Sequence, residues 1–236
     1  MISLYLCLLF YFFSVSPCLR DSVAEVVVSV DFKVYLITDR KQTKVPLPEA
    51  IRLALQGGMR AIQLREKDLP VRELLALAQG LRSLTKEYGA KLFINDRVDV
   101  AVAVNADGVH LGHQSMPPEA VRRIVGNRML IGVSTHTIEE AKAAETGGAD
   151  FITFGPVFFT PSKSKLGNPV GLEYLKEAKK TVKIPLFGLG GIKSGNAMDV
   201  FSSGADGVAM ISEIFKADDI QRAAEDIISV SQNHVR

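Results

Sequence analysis

Cationic and hydroxyl-bearing side chains in this 236-residue sequence cluster at spacings suited to phosphate chemistry. The segment "QLREKD" sets Gln63, Arg65 and Lys67 at alternate positions. Residues two apart share one face of a strand, so all three can point the same way. Arginine forks onto phosphate oxygens and lysine adds a point charge. The competing reading is salt pairing with Glu66 and Asp68 on a solvated loop. "FINDRVD" places Asn95 and Asp96 at a strand end, with Asp99 on the helix that follows. A carboxylate beside cations suggests either an internal salt bridge or Mg²⁺ held against a phosphate. That ion needs only one or two carboxylates when phosphate and water complete its shell. "TPSKSKLG" gathers Thr160, Ser162, Lys163 and Lys165 with no acid, as a basic lid over an anion or an exposed loop. "FGLGGI" and "ISEIF" supply Gly188, Gly190 and Gly191, then Ile211 and Ser212. Glycine permits close backbone approach, so these loops read as a phosphate cradle, against a plain Gly-rich turn. The spacing and partner acid of a dinucleotide fingerprint are absent. Together the loops favour a diphosphate-plus-phosphate substrate pair with a metal.

Histidines give a weaker signal. "GVHLGHQSMPP" carries His110 and His113, but two histidines without a nearby carboxylate or cysteine make no convincing ligand set. Pro117 and Pro118 fit the start of a helix. In "GVSTHT", Ser134 or Thr135 reads as a helix N-cap, and His136 as a general acid or base. A lone histidine is more often structural.

The elements that position these residues come from a repeated unit. "GGMRAIQL", "NADGVHL", "GGADFITF" and "SGADGVAM" each follow an amphipathic stretch and run from a tight turn into an apolar strand. Strands are expected near 34–38, 60–64, 91–94, 107–111, 129–133, 150–154, 184–188 and 206–210. Helices are expected near 48–57, 71–87, 97–104, 117–125, 137–147, 171–181, 194–202 and 218–231. Short, continuously apolar strands indicate a parallel sheet covered on both faces. About eight units in roughly 200 residues match a small (β/α)₈ TIM barrel, with an open doubly wound sheet as the alternative. In a barrel the C-terminal strand ends carry the chemistry. The polar clusters fall there.

Composition narrows the partners. Lys plus Arg number 28 and Asp plus Glu 26, a net charge of +2 that makes no general case for nucleic acid or an anionic membrane. Both cysteines, Cys7 and Cys18, lie in the N-terminal stretch, so the remainder can hold neither a disulfide nor a cysteine metal site. "MISLYLCLLFYFFSVSPCL" is apolar but has no basic residue before its apolar run and a poor cleavage site. It reads as an atypical signal or anchor, a disordered tail, or translated upstream sequence, the last being favoured. Residues 1–30 are expected outside the fold and 31–236 as one cytoplasmic domain.

The ordered motifs "YLITDR", "QLREKD", "INDRVDVA", "ADGVHLG", "GVSTHT", "GPVFFTPSK", "GLGGI" and "GADGVAMIS" resemble the thiamine phosphate synthase/TenI family over about 32–215. The resemblance implies a (β/α)₈ barrel that couples hydroxymethylpyrimidine diphosphate to thiazole phosphate and releases pyrophosphate, with Mg²⁺ as cofactor. It assigns Gln63, Arg65, Lys67 and Asn95 to the pyrimidine diphosphate and Asp96 to Mg²⁺. Ser134 and Lys163 fall near the diphosphate, and Thr160 and Ser162 in the thiazole-phosphate loop. Gly191, Ile211 and Ser212 fall at the last phosphate site. It also allows a homodimer. Two departures stand out. Ser115 occupies the place of a second Mg²⁺ aspartate, and "PSK" replaces the commoner "PTK". Both look like the TenI branch, in which a histidine at the position of His136 is proposed to move a proton during thiazole tautomerisation. The sequence therefore reads first as a synthase, with a thiazole tautomerase or a non-catalytic phosphate-binding barrel as alternatives.

Overall fold

Eight parallel strands, each hydrogen-bonded to the next in sequence order, close on themselves when β8 pairs with β1. The computed structural model describes residues 29–160 and 169–233. The strands are β1 (Val34–Ile37), β2 (Ala61–Leu64), β3 (Lys91–Asn95), β4 (Gly108–Leu111), β5 (Leu130–Thr135), β6 (Phe151–Phe154), β7 (Leu186–Leu189) and β8 (Gly207–Met210). Between them run α1 (Leu47–Gln56), α2 (Val71–Glu87), α3 (Val98–Ala103), α4 (Pro118–Val125), α5 (Ile138–Thr146), α6 (Gly171–Thr181) and α7 (Ala197–Ser202). Two more helices, α8 (Ser212–Phe215) and α9 (Ile220–Asn233), follow β8. The closed barrel excludes the open sheet. No helix among the described residues is long and apolar enough to cross a membrane.

Alternation along each strand builds two cores. Residues such as Leu36, Ile62, Ile94 and Val109 face the helices, while Tyr35, Phe93, Phe151 and Phe187 fill the lumen with Phe32 among them. The rings fit because a glycine lies beside each in register: Phe93 with Gly108, Phe151 with Gly132, and Phe187 with Gly207. A Cβ on any of these glycines would fall within 2.5 Å of the neighbouring ring. The lumen is thus a packed aromatic floor, as barrels of this size require. Val30, on the segment expected outside the fold, packs against this floor.

The repeated turn also has a structural reason. Asp107, Asp150 and Asp206 each stand just before an even-numbered strand. Each accepts the backbone N–H of a neighbouring-strand residue: Leu92 at 2.7 Å, Ile131 at 2.6 Å and Leu186 at 2.8 Å. Each also pairs with a cation, from α2, α4 and α6 in turn: Arg82, Arg122 and Lys179. These are struts at the end of the barrel remote from the loops that carry chemistry. In the first copy of the repeat Arg60 takes the place of the aspartate and caps α1, donating to the carbonyls of Leu55 and Met59.

Candidate active site

At the end of β2 the chain sorts its charges. Gln63 points into the lumen and donates through Nε2 to the Tyr35 hydroxyl at 3.1 Å. Burial pushes the Tyr35 hydroxyl well above its ordinary pKa, so it stays protonated. Beyond the strand, Glu66 is buried and accepts the Thr38 hydroxyl at 2.7 Å and the Arg40 guanidinium at 3.0 Å. Asp68 takes the other fork of Arg40 at 2.6 and 2.9 Å, and Lys41 at 2.7 Å. The expected alternative, pairing of these acids with Arg65 and Lys67, is therefore corrected: the loop after β1 supplies their partners. Lys67 instead reaches Asp96, with Nζ 3.6 Å from Oδ2, and Arg65 has no ion pair among the described residues.

Asp96 follows β3 with φ +59°, a left-handed conformation that aspartate tolerates better than most residues. This turn carries its carboxylate across to the loop after β4. There Oδ1 accepts the Ser115 hydroxyl and, at 3.2 Å, the Gly112 N–H. Oδ2 accepts Asn95 Nδ2 at 2.7 Å. Burial pushes the Asp96 carboxyl up, but the hydrogen bonds from Ser115, Gly112 and Asn95 and the charge of Lys67 outweigh it. The net effect holds Asp96 below the usual carboxylate range. Asp99 sits on α3 and pairs with Arg97.

Ser134, near the end of β5, lies 3.0 Å from Nε2 of His110. The other ring nitrogen of His110 is 3.4 Å from the Tyr35 hydroxyl, and Thr153 Oγ1 is 3.5 Å from Nε2. A buried polar chain thus runs from Gln63 through Tyr35 and His110 to Ser134. Sequence reading missed Tyr35 and His110 as parts of the site. Their signal is the strand period, since both share the inward face with lumen residues. The N-cap expectation is also corrected. Strand β5 continues through Thr135, and Thr137, with extended backbone, caps α5 by accepting the Glu140 N–H at 3.1 Å. His136 contacts the Gly155 carbonyl through Nδ1, which leaves Nε2 as its one nitrogen for acid–base work.

Across the mouth, the β7 and β8 loops line a pocket with Gly190, Gly191, Ile192, Ile211 and Ser212, joined by Thr160. Gly190 and Gly191 have φ +102° and +66°, open to glycine without strain. A Cβ on Gly191 would lie 2.7 Å from Phe158 Cβ and from the Phe159 carbonyl oxygen. "ISEIF" contains the short helix α8, whose first N–H groups have no partner within the helix. Glu213 ties the two loops together by accepting the Ser194 N–H at 3.0 Å. Gln42 and Lys216 also line the pocket; isolated in sequence, neither sits in a recognisable motif. Ser162 and Lys163 lie outside the described residues.

The mouth therefore joins a cationic, carboxylate-bearing side over β2–β4 to a glycine-lined pocket over β7–β8. The thiamine monophosphate synthase family matches residues 34–214. The chain belongs to this family. A thiamine-phosphate synthase of Moorella thermoacetica is 47% identical over 76% of this chain and 85% of its own length. One from Roseiflexus sp. strain RS-1 is 46% identical over 84% of each chain. The solved thiamine phosphate pyrophosphorylase of Pyrococcus furiosus superposes with a TM-score of 0.80 at 42% identity, over 86% of this chain and 97% of its own.

Proposed function

We propose that the chain is a thiamine phosphate synthase, a transferase that joins hydroxymethylpyrimidine diphosphate to thiazole phosphate and releases pyrophosphate. The observation that carries this reading is the release of Arg65 and Lys67 from the acids beside them, opposite a second anion pocket in the same mouth. The synthase names of its relatives favour it over a tautomerase or a non-catalytic barrel.

In the reaction the methylene C–O bond breaks and its electron pair leaves with pyrophosphate. The thiazole nitrogen then donates its pair to form the C–N bond. Arg65 and Lys67 stabilise the negative charge gathering on the leaving group. Gln63, held by Tyr35, orients the pyrimidine beside Asn95. Ser134, oriented by His110, and Lys163 serve the diphosphate. Thr160, Ser162, Gly191, Ile211 and Ser212 hold the thiazole phosphate. With its Nδ1 engaged, His136 orients the strand 6 loop.

The residues present fit one Mg²⁺ bound jointly with substrate. Asp96 is ionised and faces the cations, but no three His, Cys, Asp or Glu side chains converge among the described residues. Asp96, with Ser115 beside it, would hold the ion, and diphosphate oxygens and water would complete its shell. Bound there, Mg²⁺ neutralises diphosphate charge. Incubation with both substrates and Mg²⁺, followed by detection of thiamine phosphate and pyrophosphate, tests the reading. No product, under conditions where a relative is active, refutes it.

A further inference from the structure

Arg65 and Lys67 lie beyond the last residue of β2, where no strand ladder dictates which way they turn. The alternation of β2 is nevertheless prolonged through Arg65 and Glu66 by side chains, and Lys67 opens a turn that the Leu69 N–H closes on the Glu66 carbonyl at 3.2 Å. Thr38 N–H donates to the Gln63 carbonyl at 2.9 Å, and Arg65 N–H donates to Thr38 Oγ1 at 2.8 Å. The same hydroxyl donates to Glu66 at 2.7 Å. Glu66 further accepts the Arg40 N–H at 3.1 and 3.3 Å and its guanidinium at 3.0 Å. One buried carboxylate is thus fastened to the loop after β1 by groups on two residues, Thr38 and Arg40. It occupies the outward position between two cations. A side chain fixed outward on extended backbone leaves the residue before it, Arg65, facing the opposite way, while Lys67 comes off the turn with its Nζ 3.6 Å from Asp96.

We infer that Glu66 is a positioning residue for the leaving diphosphate. Its clamp to Thr38 and Arg40 turns Arg65 and Lys67 toward the mouth and keeps the acid from neutralising either. This rests on the synthase reading above, which places the diphosphate at those cations. Net charge alone predicts the opposite. Removing an acid from a cationic site strengthens anion binding, whereas removing this clamp weakens it.

Two substitutions separate these effects. Glu66→Gln removes the charge. Thr38→Val removes the shared hydroxyl at nearly constant volume and leaves every charge in place. Titration of the full chain with inorganic pyrophosphate and Mg²⁺ is expected to show each variant weakened on the order of tenfold to a hundredfold, the scale of a small misplacement in a site. The KM for the pyrimidine diphosphate is expected to rise in parallel, with the KM for thiazole phosphate unchanged. Pyrophosphate binding that is unchanged or tighter in both variants overturns the proposal, as does an equal loss for thiazole phosphate, which marks a general structural defect. If the unmodified chain binds pyrophosphate and the variants match it, this proposal alone falls. If the unmodified chain binds none and shows no turnover, the synthase reading falls too.

Discussion

The Ser115 hydroxyl donates a hydrogen bond to the same Asp96 oxygen that receives the Gly112 N–H. A neutral donor therefore occupies the place from which a second carboxylate could reach a metal. Ser115→Asp is expected to lower the Mg²⁺ concentration needed for half-maximal pyrophosphate binding. Without metal, two adjacent carboxylates repel, so one of them is pushed toward protonation and the fold is weakened. Thermal unfolding with and without Mg²⁺ checks this: the variant should melt below the parent without the ion and recover more when it is added. An unchanged metal dependence would remove Ser115 from the ion's surroundings.

Asp96 links pH to stability. Its folded pKa is depressed, so the stabilisation it contributes is fully present above the unfolded carboxylate value and is lost as pH falls through the lower, folded value. Denaturant titrations of the parent and Asp96→Asn should differ at neutral pH and converge in strong acid. A difference that grows on acidification contradicts the sign.

Gly191 is expected to tolerate no side chain. Its φ of +66° costs an alanine about 1–2 kcal/mol before any clash, and the new Cβ would meet Phe158 and the Phe159 carbonyl. Gly191→Ala should raise the KM for thiazole phosphate more than that for the pyrimidine diphosphate. Steady-state kinetics with each substrate varied in turn would show it. A selective effect on the diphosphate would place the phosphate elsewhere.

Two glycines should respond oppositely to alanine. At Gly132 a Cβ would fall 2.4 Å from the Phe151 ring and 2.6 Å from His110 Nδ1, and overpacking of this kind costs roughly 1–3 kcal/mol. At Gly80, within α2, a Cβ meets nothing within 4 Å, and alanine there should stabilise by roughly 0.5–1 kcal/mol. Urea unfolding of both variants decides the pair. Equal and small effects would contradict the ring-on-glycine packing.

The strand and helix pattern was legible because each element is short, apolar and ended by a turn residue. The expected limits of α2 and α6 coincide with those observed. Strand β7 starts later than expected, at Leu186, because the preceding Pro185 has no N–H to give a ladder. Helix α7 starts at Ala197 rather than near 194, since Asn196 first turns the chain by accepting the Lys193 N–H. The cations of "QLREKD" were legible as a group. Their release from the adjacent acids was not, because it depends on Arg40, distant in sequence, occupying Glu66 and Asp68. Likewise His110 declared its residue type but not its neighbours, which come from β1, β5 and β6.

The rings of Phe93, Phe151 and Phe187, seated on facing glycines and closed below by Phe32, make the barrel a cup rather than a tube. Everything that enters must leave by the same rim. For the proposed reaction, two substrates and two products then share one doorway. Pyrophosphate cannot drain away through the floor, so it departs past the same loops that admit the substrates.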